Sequence, residues 1–116
     1  MKKTLLLFSF LIVTAWYSMH AQNVNIPDAN FKTYLVGNSS IDTDANSEIS
    51  VTEAQAFTGD LLVNGLSISD LTGIEAFVNI TRLDCYSNNL TSLDVSNNLA
   101  LTRLHCGSNQ IETLDI

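Results

Sequence analysis

The chain has 116 residues, with 5 Lys+Arg against 12 Asp+Glu and a formal net charge of −7. A chain this acidic is not suited to hold nucleic acid, or an anionic membrane surface, through its net charge. One Pro and two Cys exclude a Pro-rich linker and a disulfide scaffold, and the length suits one small domain or a piece of a longer protein.

Residues 1–21 read as a secretory signal peptide. Lys2 and Lys3 form its basic start, residues 4–16 its apolar stretch, and Ala21-Gln22 its cleavage point. The apolar stretch is shorter than the ~20 residues a membrane-spanning helix needs. The expectation is a secreted or cell-surface protein with no membrane insertion after cleavage. Without the leader, three basic residues face twelve acidic ones, a charge of −9.

Residues 22–59 are expected to form a helical N-terminal cap. After Pro27 and Asp28, the residues Phe31, Tyr34 and Leu35 share one helical face, and Gly37 is the stop. A second short helix is expected over residues 51–57, ending near Gly59.

Between these helices, residues 42–53 fit the twelve-residue loop of an EF-hand. Asp42, Asp44 and Asn46 stand at its first, third and fifth positions, Ser50 at the ninth and Glu53 at the twelfth, with Ile49 at the apolar eighth. Hard oxygen ligands at alternate positions curl a loop around Ca²⁺. Glu48 offers its backbone carbonyl, Ser50 acts through a water, and Glu53 binds with both oxygens. Ser47 departs from the pattern, because a Gly normally makes the sharp turn there. The metal-free alternative is a capping box, Ser50-Val51-Thr52-Glu53, with Asp42, Asp44 and Asn46 as turn residues. The two readings are compatible. The expected Ca²⁺ site is structural and weak, about 10⁻⁴–10⁻³ M.

Residues 60–116 repeat themselves. Ile80, Leu83, Cys85, Asn88, Leu90 and Leu93 recur 21 residues later as Leu101, Leu104, Cys106, Asn109, Ile111 and Leu114. One repeat earlier, 22 residues before, stand Leu61, Val63, Ile68 and Leu71, with Leu66 where the Asn belongs. This is the leucine-rich repeat pattern LxxLxLxxNxL with Cys at the third apolar position. Leu83 and Cys85 alternate with Asp84, so both face one side of a strand, and the next repeat sets Leu104 and Cys106 beside them. Asn88 and Asn109 stand at the bend, where a side-chain amide can bond buried backbone groups. Leu93-Asp94-Val95 is a second short extended segment, and Ser96-Asn97-Asn98 the return turn. The expected fold is an α/β solenoid, a small helical cap followed by about two and a half rungs. Leu83, Cys85, Leu90, Leu93, Leu101, Leu104 and Ile111 should share one buried core. Cys85 and Cys106, lacking the close pairs of a zinc site, are expected to be unpaired thiols. Ile116 falls 21 residues after Val95, inside a repeat with no polar cap, which reads as the N-terminal piece of a longer protein.

The outward strand residues line the inner, concave face: Leu62 and Asn64, then Arg82, Asp84 and Tyr86, then Arg103, His105 and Gly107. Arg82 and Arg103 stack as a basic pair on an acidic chain, with Tyr86 and His105 nearby. Tyr and Arg are favoured interface anchors, so Arg82, Asp84, Tyr86, Arg103 and His105 are the candidate ligand-binding residues. His105 and Asp84 can pair, but no nucleophile is placed to use them, and the chain has neither a nucleophile elbow nor a glycine-rich phosphate loop. The expectation is a protein that is not an enzyme. It binds a protein or a glycan on this face, or else serves as a calcium-stiffened spacer for a downstream domain.

The stretch Ile26-Pro27-Asp28-Ala29-Asn30-Phe31, the lead-in Ile68-Ser69-Asp70-Leu71-Thr72-Gly73-Ile74-Glu75-Ala76-Phe77, and Leu93-Asp94-Val95-Ser96-Asn97-Asn98 resemble the secreted leucine-rich repeat proteins of Bacteroidota, related to the internalin type. The resemblance implies a signal peptide, a small helical N-terminal region, a curved solenoid and a role as a surface or secreted interaction protein. Its members often continue through many repeats to a C-terminal sorting domain.

Overall fold

The computed structural model describes residues 22–116. The signal-peptide expectation for residues 1–21 lies outside the described residues. Two helices, α1 (Ala29–Val36) and α2 (Val51–Ala56), precede five short strands: β1 (Asp60–Leu62), β2 (Arg82–Asp84), β3 (Ser92–Asp94), β4 (Arg103–His105) and β5 (Thr113–Asp115). The strands form two parallel sheets, β1-β2-β4 and β3-β5. Among the described residues, no helix is long and apolar enough to cross a membrane.

α1 begins at Ala29, because Asp28 is its cap and not its first residue. Asp28 is extended, and its Oδ1 accepts the N–H groups of Asn30 and Phe31, both at 3.0 Å. These donors have no partner inside a helix, and a short side-chain acceptor supplies one. Phe31 and Leu35 are buried one turn apart, while Tyr34 is half-buried. α2 starts at the Ser50 capping box, which is formed in both directions. Ahead of α1, residues 22–24 cross this cap. Val24 N–H donates to the Ile49 carbonyl and Val51 N–H to that of Gln22, both at 2.8 Å.

The repeat register follows the sequence spacing. Leu61, Leu83 and Leu104 are neighbours across the first sheet, and Leu93 pairs with Leu114 in the second. Leu61, Val63, Ile68, Ile80, Leu83, Cys85 and Leu90 are fully buried in one core that continues into Phe31, Leu35, Ile41 and Ile49 of the cap. Burying one such side chain contributes about 1.5–3 kcal/mol. Cys85 and Cys106 are both free thiols. The expected core is corrected at its far end. Leu101, Leu104 and Ile111 are only partly buried, since β4 and β5 are outer strands and, among the described residues, no strand pairs with their far edges.

The bends are closed by asparagines. Asn88 Nδ2 donates to the carbonyls of Val63 (2.8 Å) and Cys85 (3.0 Å), and its Oδ1 accepts from Leu66 and Ile68 N–H, both at 3.0 Å. Asn109 repeats this one rung on, to Cys85, Cys106 and Leu90. A residue in the left-handed region precedes each bend: Ser67, Ser87 and Ser108, with φ of 56°, 57° and 53°. Asn98, which the sequence presented as a turn residue, is buried like Asn88. Its Nδ2 donates to Ile74 (2.8 Å) and Phe77 (3.0 Å) carbonyls.

Gly73 shows why the N-terminal segment lies where it does. Its φ is +107°, and an added Cβ would stand 2.8 Å from Ile26 Cγ1 and 3.0 Å from the Asn25 carbonyl oxygen. Only a glycine lets residues 24–26 close over the first rung.

Candidate functional site: the face of the β1-β2-β4 sheet

The strand register lays three columns across this sheet. Asp60, Arg82 and Arg103 form one outward column, and Leu62, Asp84 and His105 the next. Continued backbone pairing (Gly65 N–H to Tyr86 carbonyl, 3.1 Å; Ser87 N–H to Gly107 carbonyl, 3.0 Å) carries the face on to Tyr86 and Gly107. All five candidate ligand-binding residues therefore share one surface.

Their environments differ. Asp84 is buried at 5% exposure. Arg82 grips it with two bonds, Nε to Oδ1 at 3.0 Å and Nη2 to Oδ2 at 2.6 Å. His105 Nδ1 lies 3.0 Å from Oδ1, one rung along. Arg82 also approaches Asp60 at 3.9 Å, a neighbour that the sequence reading left out. The Arg82 hydrogen bonds, against the opposing effect of burial, hold the Asp84 carboxyl below its usual range, helped by the charges of Arg82 and His105. Fork-to-carboxylate pairing of this kind fixes a guanidinium in one orientation. Arg82 is thus neutralised and held in place. Arg103, its Cα neighbour, is exposed and makes no ion pair among the described residues.

Apolar surface flanks these charges. Leu62 is 45% exposed and Tyr86 44% exposed. Asn64 Nδ2 donates to Tyr86 Oη at 3.4 Å. Tyr34 reaches across from α1, its Oη accepting the Leu62 N–H at 3.3 Å, a contribution not readable from the repeat alone. The surface offers a free cation, a phenol and a leucine on a rigid sheet. The Asp84–His105 pair has no nucleophile assigned to it: Cys106 lies on the inward side with Cys85, whose thiol burial pushes up to about 12.

The acidic loop is ordered by its own side chains. Asp42 accepts N–H groups from Asn46 (3.1 Å) and Ser47 (3.0 Å), and Asp44 accepts from Asn46 N–H (3.2 Å). Glu53 Oε1 accepts from Thr43 N–H (2.9 Å) and hydroxyl (3.1 Å), while Oε2 accepts from Ser50 N–H and hydroxyl, both 2.9 Å. Burial opposes its ionisation, but the Ser50 and Thr43 bonds hold the Glu53 carboxyl below its usual range. Carboxylate oxygens of Asp42, Asp44 and Glu53 lie within 4.8 Å of one another. Ser47 takes φ +66°, the conformation a Gly would hold at this position. The Glu48 side chain points elsewhere, into an ion pair with Lys32 at 2.9 Å. Ser50 caps α2.

No protein-family model matches the chain. Internalin J of Listeria monocytogenes serotype 4b is 38% identical over 72 residues, which cover 62% of this chain and 8% of that protein. Among solved structures, the functional domain of InlJ from Listeria monocytogenes, which includes a cysteine ladder, superposes with a TM-score of 0.63 at 38% identity, over 78% of this chain and 20% of that one. An internalin, InlF, from the same species superposes with a TM-score of 0.62 over 84% of this chain and 33% of that one, at 20% identity, a likeness of fold. The chain thus spans under a tenth of the curated relative's length. Stacked rungs, inward cysteines on successive rungs and asparagine-closed bends accompany this similarity to internalin leucine-rich repeat proteins.

Proposed function

We propose that the chain is an exported, non-catalytic recognition module of the secreted Bacteroidota type that binds a protein through the β1-β2-β4 face. One observation carries the reading: Arg103 and Tyr86 stand exposed on a sheet where Arg82 is already engaged by Asp84 at 2.6 Å and approached by Asp60 at 3.9 Å. An exposed arginine and tyrosine beside exposed Leu62 form the kind of anchor set that carries most interface energy. The similarity to internalins supports a protein-binding repeat module. Glycans are the second ligand class, and Tyr86 offers them a ring to stack on. The test is a screen of the protein against extracellular proteins and glycans, repeated with Arg103→Glu and Tyr86→Ala. Binding that both variants weaken supports the proposal. Binding indifferent to both removes this face from consideration.

A second role is compatible with the first. The loop over residues 42–53 stiffens the cap as a structural Ca²⁺ site through Asp42, Asp44, Asn46, the Glu48 carbonyl, Ser50 and Glu53. Favouring it are the three clustered carboxylates and the left-handed Ser47 at the turn. The bonds that Glu53 makes to Thr43 and Ser50 compete with metal, which favours weak binding. In the spacer version of this reading, the cap and rungs hold a downstream domain away from the cell surface.

A further inference from the structure

Asn64-Gly65 is the single Asn-Gly pair in the chain. It follows β1 directly, with Gly65 exposed at φ +67° and nothing within 4 Å of where a Cβ would stand. Asn-Gly pairs are prone to lose the side-chain amide, because an unsubstituted following residue leaves its backbone nitrogen free to reach the Asn carbonyl carbon. Here that nitrogen is engaged: Gly65 N–H donates to the Tyr86 carbonyl at 3.1 Å. The Asn64 amide is itself held toward Tyr86 Oη at 3.4 Å.

We propose that Asn64 is a spontaneous modification site, converted to Asp and isoaspartate, and that pairing of the first two rungs restrains the conversion. The Gly65 nitrogen attacks Asn64 Cγ and loses its proton. A nitrogen–carbon bond forms, the Cγ–Nδ2 bond breaks, and ammonia leaves with that proton. Water then opens the five-membered imide at either carbonyl, giving Asp by one route and isoaspartate by the other. No oxidant or enzyme is required. Attack needs the Gly65–Tyr86 bond to open, so the rate follows the fraction of time this edge is unpaired.

The product changes the candidate binding face. Asp at position 64 sets a new carboxylate beside Tyr86. Isoaspartate adds a backbone carbon between Val63 and Gly65, the two residues whose N–H groups bond Asp84 (2.8 Å) and Tyr86 (3.1 Å), and so breaks the register of β1 on β2.

The full chain, incubated at mildly alkaline pH with and without urea, tests this by peptide mapping with mass spectrometry. In urea, Asn64 should convert faster than the chain's other asparagines, including Asn46 and Asn38, each followed by Ser. In buffer, its conversion should slow roughly tenfold or more. Leu83→Ala, which loosens the rung beneath, should restore part of the rate in buffer. If Asn64 is not the leading site in urea, the modification assignment fails. Equal rates with and without urea would show that rung pairing restrains nothing.

Discussion

Asp28 and Ser69, 41 residues apart, are joined at 2.9 Å by the carboxylate oxygen that Asp28 does not use to cap α1. Oδ1 takes the N–H groups of Asn30 and Phe31, while Oδ2 takes those of Ser69 and Asp70. Asn30 Nδ2 adds a bond to the Ser67 carbonyl at 3.1 Å. The first rung carries Leu66 where later rungs carry an asparagine. The start of α1 bonds the backbone of that bend from outside.

Asp28→Ala should therefore cost more than an ordinary helix cap, about 1–3 kcal/mol, because four N–H groups lose their acceptor. Burial opposes ionisation of Asp28, but bonds from Phe31, Ser69, Asp70 and Asn30 outweigh it and hold its pKa below the ordinary carboxylate value. A folded pKa below the unfolded one gives stability that is complete above about pH 4 and is lost as pH falls through the folded value. Urea melts of wild type and Asp28→Ala should thus differ at pH 7 and draw together as pH falls below the ordinary carboxylate range. A gap that stays constant with pH would show that the carboxylate charge is not involved.

Leu83→Ala and Leu104→Ala occupy equivalent repeat positions but should differ. Leu83 is fully buried, so its truncation should cost about 2–5 kcal/mol. Leu104 is only partly buried on the outer strand, and its loss should cost roughly half as much. Matched denaturant curves decide. Equal losses would mean that the outer rung is covered in solution.

The two thiols should be separable by reagent. Burial, with smaller effects from Cys106 and Asp84, lifts the Cys85 thiol to about 12, so little thiolate exists at neutral pH. Cys106 is half-buried at the outer edge. An alkylating reagent at pH 8 should label Cys106 first and Cys85 only after unfolding. Simultaneous labelling of both in the folded protein would contradict this placement.

Millimolar Ca²⁺ should stabilise the chain by roughly 0.4–1.4 kcal/mol at 1 mM, given a Kd of about 10⁻⁴–10⁻³ M. Glu53→Gln should abolish the gain while leaving part of the α2 cap, since Gln still closes the box. Ser47→Gly should enlarge it by relieving the left-handed serine at φ +66°. Calorimetry with 5 mM Ca²⁺ that showed neither heat nor a shift in Tm would leave the capping box as the loop's whole purpose.

The amino-acid order by itself determined the rung spacing, the inward column from Leu61 to Leu104 and the asparagine bends, because period-two strands repeated every 21 or 22 residues admit one stacking register. It also placed the Ser50–Glu53 box, a purely local device. What lay beyond it were relationships between segments far apart in the chain. Asp28 serves Ser69, Tyr34 meets Leu62, and Gly73 makes room for Ile26. None of these has a fixed spacing to betray it. The candidate face shows the same division. Alternation put Arg82, Asp84, Arg103 and His105 on one side, but only packing decided that Asp84 would be buried between Arg82 and His105 while Arg103 stood free. A charge's freedom depends on which neighbours the fold brings within bonding distance, and that is a property of three dimensions.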